Sequence, residues 1–308
     1  MDIIKNIKDI YNIDKSVITI GNFDGVHNGH KTLINKVLDY KKKNKCSSIV
    51  FTFSNHPVNY FKPNTIKNII TNKEKLEIFY KEGIDIAINI PFDKYMTQIE
   101  AKEFVKEILI NKLKMQKLII GYDFSFARNK EGNVDLLKKL SKEYNFELEV
   151  VEPIMIENVR ISSTHVRDLI SQGEIEKVNE YLGYNFSMSG TVIQGRQIGR
   201  TIGYPTANID YDKTILIPKI GIYATYVYID DKKYIGATNV GYNPTVNGKK
   251  LSVETHIIDF DEDIYQKEIK IEFLERIRNE KKFNNLDELK NQLQKDTNYI
   301  IKNYICKK

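Results

Sequence analysis

The 308-residue sequence predicts two fold classes in one chain, an α/β half followed by an all-β half. Three observations carry that expectation. Up to about residue 182, short β-branched runs alternate with amphipathic stretches. Beyond Gly183-Tyr184-Asn185-Phe186-Ser187 the strand candidates crowd together with turns between them. The length also exceeds what one domain usually holds. The boundary is therefore expected at 185/186, dividing residues 1–185 from 186–308.

In the first half, the runs at 17–20, 48–53, 84–88, 118–120 and 147–151 read as strands. Leu33, Ile34, Val37 and Leu38 share one helical face, as do Phe104, Val105, Ile108 and Leu109. Such alternation implies a parallel sheet covered on both faces, with ligands at the carboxyl ends of its strands. In the second half, 189–193, 222–229, 233–239, 251–258 and 268–273 read as strands of a small antiparallel barrel or a sandwich, with turns at Asp230-Asp231 and Asn247-Gly248. A final helix is expected with Asn284 or Asn285 as its cap and Leu286, Leu289 and Leu293 on one face.

The composition, 41% hydrophobic and 29% charged, excludes a disordered chain. A net charge of +6 spread over helix surfaces argues against nucleic-acid binding and leaves room for phosphate-bearing ligands. Cys46 and Cys306 stand in no CxxC or metal-finger spacing, as in a reduced protein. The start lacks a basic segment followed by an apolar run, and no apolar stretch approaches the ~20 residues that span a bilayer. A cytoplasmic protein without membrane attachment is expected.

The first chemical constellation follows the first strand: Gly21-Asn22-Phe23-Asp24-Gly25-Val26-His27-Asn28-Gly29-His30, running into a helix. Glycines at a strand-to-helix turn let the backbone approach a phosphate, and the helix N-terminus adds free N–H donors and a positive dipole. Histidines at i and i+3 can stabilise charge developing on phosphorus. Structural histidines and a metal site are the alternatives, but no nearby Cys or further His completes a ligand set.

His27-Asn28-Gly29-His30 resembles the (H/T)xGH signature of the nucleotidyltransferase superfamily. The full run from Gly21 resembles the adenylyltransferase half of bacterial bifunctional riboflavin kinase/FMN adenylyltransferases, the FAD synthetases. Phe51-Thr52-Phe53-Ser54-Asn55-His56-Pro57, Gly121-Tyr122-Asp123-Phe124-Ser125-Phe126 and Ile161-Ser162-Ser163-Thr164-His165-Val166-Arg167 match further segments of that half. The resemblance implies a Rossmann-like nucleotidyltransferase domain with His27 and His30 catalytic. It further implies nucleotide binding by Gly21, Phe23, Asp24, Gly25, Gly29, Asp123, Ser162, Ser163, Thr164 and Arg167, and flavin contacts from Phe51, Phe53, Pro57 and Phe124. On the residues alone, Ser162 and Ser163 are good helix caps and the three phenylalanines good core residues. Ser125 and Ala127 depart from the Arg and Gly frequent in the family.

The second constellation is Gly190-Thr191-Val192-Ile193-Gln194-Gly195-Arg196-Gln197-Ile198-Gly199-Arg200-Thr201-Ile202-Gly203-Tyr204-Pro205-Thr206-Ala207-Asn208. Polar residues and a proline exclude a membrane-helix face, and a loop wrapping phosphates accounts for the glycines. Thr206 and Asn208 alternate along an extended stretch, so both side chains point one way, where they can serve a magnesium-bound nucleotide. The run resembles the GxxxGRxxGxPTAN signature of riboflavin kinases. Gly221-Ile222-Tyr223-Ala224, Asn239 to Thr245, Val253-Glu254-Thr255-His256 and Arg276 to Phe283 follow in that family's order.

This second resemblance implies Glu254 as the base and Thr206, with Asn208, beside Mg2+. It also implies nucleotide contacts from Gly195, Gly199, Arg200, Gly203, Pro205, Thr206 and Asn208, and a flavin contact from Arg278. Gln197 and Ile198 depart from the basic residues often found there. The two resemblances together imply ATP-dependent conversion of riboflavin to FMN and of FMN to FAD. A single-function enzyme and a flavin-sensing or RNA-binding regulator built on the same folds are the rival readings. By itself, Glu254 reads as a solvated strand carboxylate, and His256 as structural.

Overall fold

The β-branched runs of the amino-terminal half form strands because their side chains pack on both faces of one sheet. Strands β1 (Asp2–Ile4), β2 (Ser16–Ile20), β3 (Ser47–Phe53), β4 (Ile86–Ile90), β5 (Met115–Gly121) and β6 (Glu147–Val151) lie in the order β1-β4-β3-β2-β5-β6, every pair parallel. β2 and β4 are buried along their whole length, as a sheet covered on both faces requires. β1, only three residues long, is too short to read from period. From β2 the chain builds outward one way through β3 and β4, then returns to place β5 on the other side. That reversal between β2 and β5 is where doubly wound sheets open a crevice at their carboxyl ends.

The computed structural model describes residues 1–11, 13–195, 198–245 and 248–305. Compact packing divides it into two units, Met1–Ser163 and Thr164–Lys308. In the first unit the connections are helical: α1 (Asn28–Asn44), α2 (Pro57–Phe61), α3 (Asn72–Glu82), α4 (Lys94–Gln98), α5 (Ala101–Glu103) and α6 (Val134–Tyr144). α3 opens with a reciprocal Thr71/Glu74 capping box and stops at Gly83, whose φ of 91° suits glycine. The face of Phe104, Val105, Ile108 and Leu109 is buried as expected, but it is wound as a π-helix over Phe104–Lys112. Leu113 N donates to Ile108 O, five residues back, at 2.9 Å. The hairpin β7 (Met155–Ile156) and β8 (Val159–Arg160) turns on Glu157 and Asn158, both at positive φ.

The second unit holds α8 (Ile175–Leu182) and all of α7 (Ser163–Gln172) beyond its first residue. Its sheet is a closed antiparallel barrel of β9 (Ser187–Ile193), β10 (Ala207–Tyr211), β11 (Gly221–Ile229), β12 (Lys232–Thr245), β13 (Gly248–Ile257) and β14 (Glu268–Arg278), in the order β10-β13-β12-β11-β14-β9. Closure removes the unpaired edges that a small sheet would otherwise expose. Phe186, Tyr223 and Phe273 are fully buried, and the hydroxyls of Thr225, Thr238 and Thr255 form a buried chain with links of 2.8 and 3.0 Å. These polar atoms satisfy one another where water is excluded.

The change of hydrophobic period at 186 and the division of packing at 163/164 do not coincide. The reason is α8. Asn179 Nδ2 donates to Phe273 O at 2.8 Å, and its Oδ1 accepts from Phe186 N at 2.8 Å, while Val178, Tyr181 and Leu182 are buried. A helical stretch thereby belongs to the barrel's core.

The chain continues through a one-turn helix α9 (Ile198–Thr201) in the glycine-rich loop and ends in α10 (Leu286–Tyr304). Asn285 is the cap, accepting from Glu288 N at 2.9 Å. Leu286, at the start of α10, is 53% exposed, and the same helical face is buried further along at Asp296, Thr297 and Ile300. Ile300 packs with Ala224, Ile235, Ala237 and Ile258, and an ion pair fixes Asp296. Among the described residues no helix is long and apolar enough to cross a membrane. Cys46 is a buried free thiol. Cys306, Gln197, Arg196 and Asn247 lie outside the described residues.

Two candidate active sites

In the first unit, the chain leaves β2 through a turn held in unusual conformations, with φ of 53° at Phe23, 80° at Gly25 and 34° at Val26. A β-branched residue at positive φ is costly and persists only where its surroundings enforce it. Here the Asp24 carboxylate accepts from Ile69 N at 2.9 Å, and Ser163 Oγ donates to Asp24 O at 2.8 Å. Phe23 is fully buried, edge-on to Phe79 at 5.5 Å. Phe23 and Asp24 thus build the turn with their side chains and leave its backbone to face a ligand.

The turn delivers His27 as N-cap of α1. Its Nδ1 accepts from His30 N at 3.3 Å, and the two rings stack with centroids 3.7 Å apart. A Cβ at Gly29 would come 3.2 Å from the His27 ring, so glycine leaves that ring its place. Burial, with His27 and Lys75 beside it, holds His30 well below the ordinary histidine range. His30 Nδ1 is buried and has no hydrogen-bond partner, as expected of a group reserved for a ligand.

Both histidines line a cleft of about 240 Å³ together with Gly121, Asp123, Ile154, Arg160 and Ser162. Its walls come from the start of α1, which follows β2, and from the ends of β5 and β6, the crevice that the strand order dictates. Asp123 is ion-paired with Arg160, whose guanidinium lies 4.7 Å over the Tyr122 ring. Thr164 and Arg167 stand in the first turns of α7, in the second unit.

The expected flavin contacts separate. Phe51 is fully buried, edge-on to Phe104 at 5.4 Å, and the structure corrects it to a core residue. Phe124 stacks on Phe126 at 5.4 Å. Phe53 meets Phe92 at 5.1 Å, and Pro57 opens α2 behind the cap His56. Next to them is a feature the sequence reading passed over: Phe61, 66% exposed, forms an aromatic cluster with Tyr60 and Phe92. The signal available was two aromatic residues just beyond Pro57, in a helix too short to have period. Arg160 and Lys75 were missed as well, since neither sits in a motif.

In the second unit, the barrel register brings the candidate groups together. Glu254 on β13 lies opposite Asn208 on β10 and opposite Asn239 on β12. Neighbouring residues in register share a face, and the alternate residues Val253 and Thr255 are buried, so these three project away from the barrel core. Ser252 Oγ donates to Glu254 Oε1 at 3.4 Å, and buried Asn239 Oδ1 has no partner.

A Cβ at Gly195 would collide with the Asn208 amide at 2.1 Å, and one at Gly199 with Tyr204 O at 2.1 Å. Gly203 has φ of 85°. His256 donates from Nδ1 to Pro205 O at 2.9 Å, which ties the Pro205-Thr206 segment to β13. Burial lowers its pKa. Arg200, Pro205 and Thr206 line a cavity of about 310 Å³ shared with Asp261, Asp263 and Tyr265. Arg278, an expected flavin contact, is ion-paired with Asp296 on α10, with Nη2 to Oδ2 at 2.6 Å and Nε to Oδ1 at 3.0 Å. Among the described residues no group of three or more His, Cys, Asp or Glu side chains could hold a metal alone.

Comparison with known proteins follows the same division. A family model for FAD synthetase matches residues 10–165, and one for riboflavin kinase matches 182–304. A bifunctional riboflavin kinase/FMN adenylyltransferase of Buchnera aphidicola from Acyrthosiphon pisum is 38% identical, over 99% of this chain and 98% of that protein. The Escherichia coli K12 protein of the same description is 34% identical, over 95% of each. A crystal structure from Streptococcus pneumoniae, described as a macrolide-efflux protein, superposes with a TM-score of 0.90 at 30% identity and 98% coverage of both chains.

Proposed function

The chain belongs to the bifunctional riboflavin kinase/FMN adenylyltransferase family, and from that premise we propose which residues perform each reaction. The enzyme phosphorylates riboflavin to FMN and adenylylates FMN to FAD, with ATP as co-substrate in both steps.

Adenylyl transfer is assigned to the cleft of His27 and His30. An oxygen of the FMN phosphate attacks the α-phosphorus of ATP, the bond to the β-phosphate bridging oxygen breaks, and pyrophosphate leaves. Because His27 Nδ1 accepts a hydrogen bond, its proton sits on Nε2, which is then the donor for phosphate oxygens as charge builds. The backbone of Gly25 and Gly29 and the N-terminus of α1 complete the anion-binding surface. Phe61, Phe53 and Pro57 offer an apolar wall, two of its three rings aromatic, for the isoalloxazine ring. The stacked histidine pair at the sheet's reversal point is the observation that carries this assignment.

Phosphorylation of riboflavin is assigned to the outer face of the barrel at Glu254. Its carboxylate takes the proton of the ribityl hydroxyl as that oxygen attacks the γ-phosphorus of ATP and ADP leaves. Thr206 and Asn208 supply a hydroxyl and an amide oxygen, donors that suit Mg2+ held mainly by substrate phosphates. The unpartnered Asn239 Oδ1 beside Glu254 fits a polar ligand there. When bound with ATP, the metal would neutralise phosphate charge. Cytoplasmic location and a functional boundary at 185/186 remain part of this proposal.

The test is incubation of pure protein with riboflavin, ATP and magnesium chloride, with products separated by chromatography. FMN should appear first and FAD after it, and EDTA should suppress both. FMN without FAD would overturn the adenylyl assignment; no product would overturn both.

A further inference from the structure

Lys75 lies on α3, outside every motif, yet it is only 6% exposed. A buried ammonium is costly unless its hydrogen bonds are met. Its Nζ donates to Phe53 O at 2.6 Å, to Thr52 Oγ1 at 3.2 Å and to Asn22 O at 3.4 Å. Thr52 Oγ1 in turn donates to Asn22 O at 3.1 Å. These oxygens stand at the carboxyl ends of β2 and β3, where the turn toward His27 and the segment toward Pro57 begin. Charged or titratable groups facing the ammonium come from the turn (Asp24), from α1 (His30) and from the same small recess (His56).

We propose that Lys75 is a positioning residue of the adenylyl-transfer site, clamping the β2 turn that carries His27 and His30 to the end of β3 that leads to the flavin wall. The inference rests on the assignment of adenylyl transfer to the His27/His30 cleft. Two consequences follow. Removing the clamp misplaces the histidines, and a misplacement of order 1 Å costs about 10²-fold in rate. Losing the charge relieves its pressure on His30, whose protonation then moves to higher pH. Burial brings the Lys75 pKa down to about 8, with Asp24 opposing the shift, so the clamp weakens as pH rises through that value.

The experiment compares full-length Lys75→Met, Lys75→Arg and His30→Ala with the unaltered protein, following FMN-to-FAD conversion from pH 5 to 10 and riboflavin-to-FMN conversion as an internal control. Lys75→Met should lower kcat for FAD formation about 10- to 100-fold and raise its acid limb, with FMN formation within about twofold of normal. Lys75→Arg, always charged, should recover much of the rate and move the alkaline limb to higher pH.

If His30→Ala leaves FAD formation intact, the site assignment fails. If His30→Ala abolishes it and Lys75→Met changes neither rate nor acid limb, the Lys75 proposal alone fails. Should Lys75→Met not fold, the Arg variant decides: an unmoved alkaline limb overturns the proposal.

Discussion

His27 Nδ1 accepts the backbone N–H of His30 while the two imidazoles stack 3.7 Å apart, so the first histidine is held in one tautomer by the second. Stacked cations would repel. Burial foremost, with His27 stacked beside it, therefore keeps His30 uncharged and its pKa well below the ordinary histidine range.

That arrangement makes stability depend on pH in a definite direction. In the unfolded chain His30 takes a proton near its ordinary pKa of about 6.5, whereas in the folded protein it resists until a much lower pH. The unfolded state then binds more protons, and stability falls as pH drops below about 6.5. Buried His256 acts with the same sign. Thermal melting between pH 7.5 and 5 should show the decline, and His30→Gln should flatten it for the amino-terminal transition. An unchanged slope in that variant would count against the buried, neutral His30.

What the sequence made legible was local. His27 and His30 stood out because a strand, a glycine turn and a helix start follow one another directly, and Thr206 and Asn208 because they alternate along an extended stretch, whereas Glu254 stood out only through the resemblance of its segment to riboflavin kinases and alone reads as a solvated strand carboxylate. What it concealed was long-range. Lys75 meets Asn22 from 53 residues away and Arg160 meets Asp123 from 37, and no period encodes such pairings. Arg278 illustrates the same limit: its partner Asp296 lies on the next element, and without it the arginine looks free for a ligand. α8 was read correctly as a helix, but its Asn179 links to β14, which moves the packing boundary, are invisible to period analysis.

The departure at Ala127 has a conformational consequence. Ala127 adopts φ of 63° and ψ of −173°, a region open essentially to glycine, at the mouth of a loop closed by Phe126 and Gly132. Ala127→Gly should therefore stabilise the amino-terminal unit by about 1 kcal/mol, or about 2–4 °C in melting temperature. Calorimetry checks this; a lower melting temperature would mean that the backbone is relaxed at this position in solution.

Two carboxy-terminal fragments distinguish the packing boundary from the boundary in sequence period. Residues 164–308 retain α8 and both Asn179 bonds, and should fold and phosphorylate riboflavin. Residues 186–308 keep Glu254 and the barrel but expose the ground that Val178, Tyr181 and Leu182 cover, and should melt lower. Losing the two Asn179 bonds alone costs about 1–3 kcal/mol. Asn179→Ala in the longer fragment should reproduce part of that loss in a denaturant titration, and equal stability of the two fragments would place α8 outside the kinase core.

Single substitutions at the two sites should separate the two reactions. His30→Ala should slow FAD formation about 10²–10³-fold, the usual effect of losing a transition-state donor, while riboflavin is still phosphorylated. Glu254→Ala should do the reverse: supplied FMN is converted to FAD, but riboflavin is not consumed. Both variants should melt as cooperatively as the parent, because the residues lie in separate compact units. Mixed together, they should restore riboflavin-to-FAD conversion, since FMN released by the first can diffuse to the second. Loss of both activities in either folded variant would refute the two-site assignment. If each loses only its own step and the mixture still makes no FAD, FMN is passed on within a single molecule.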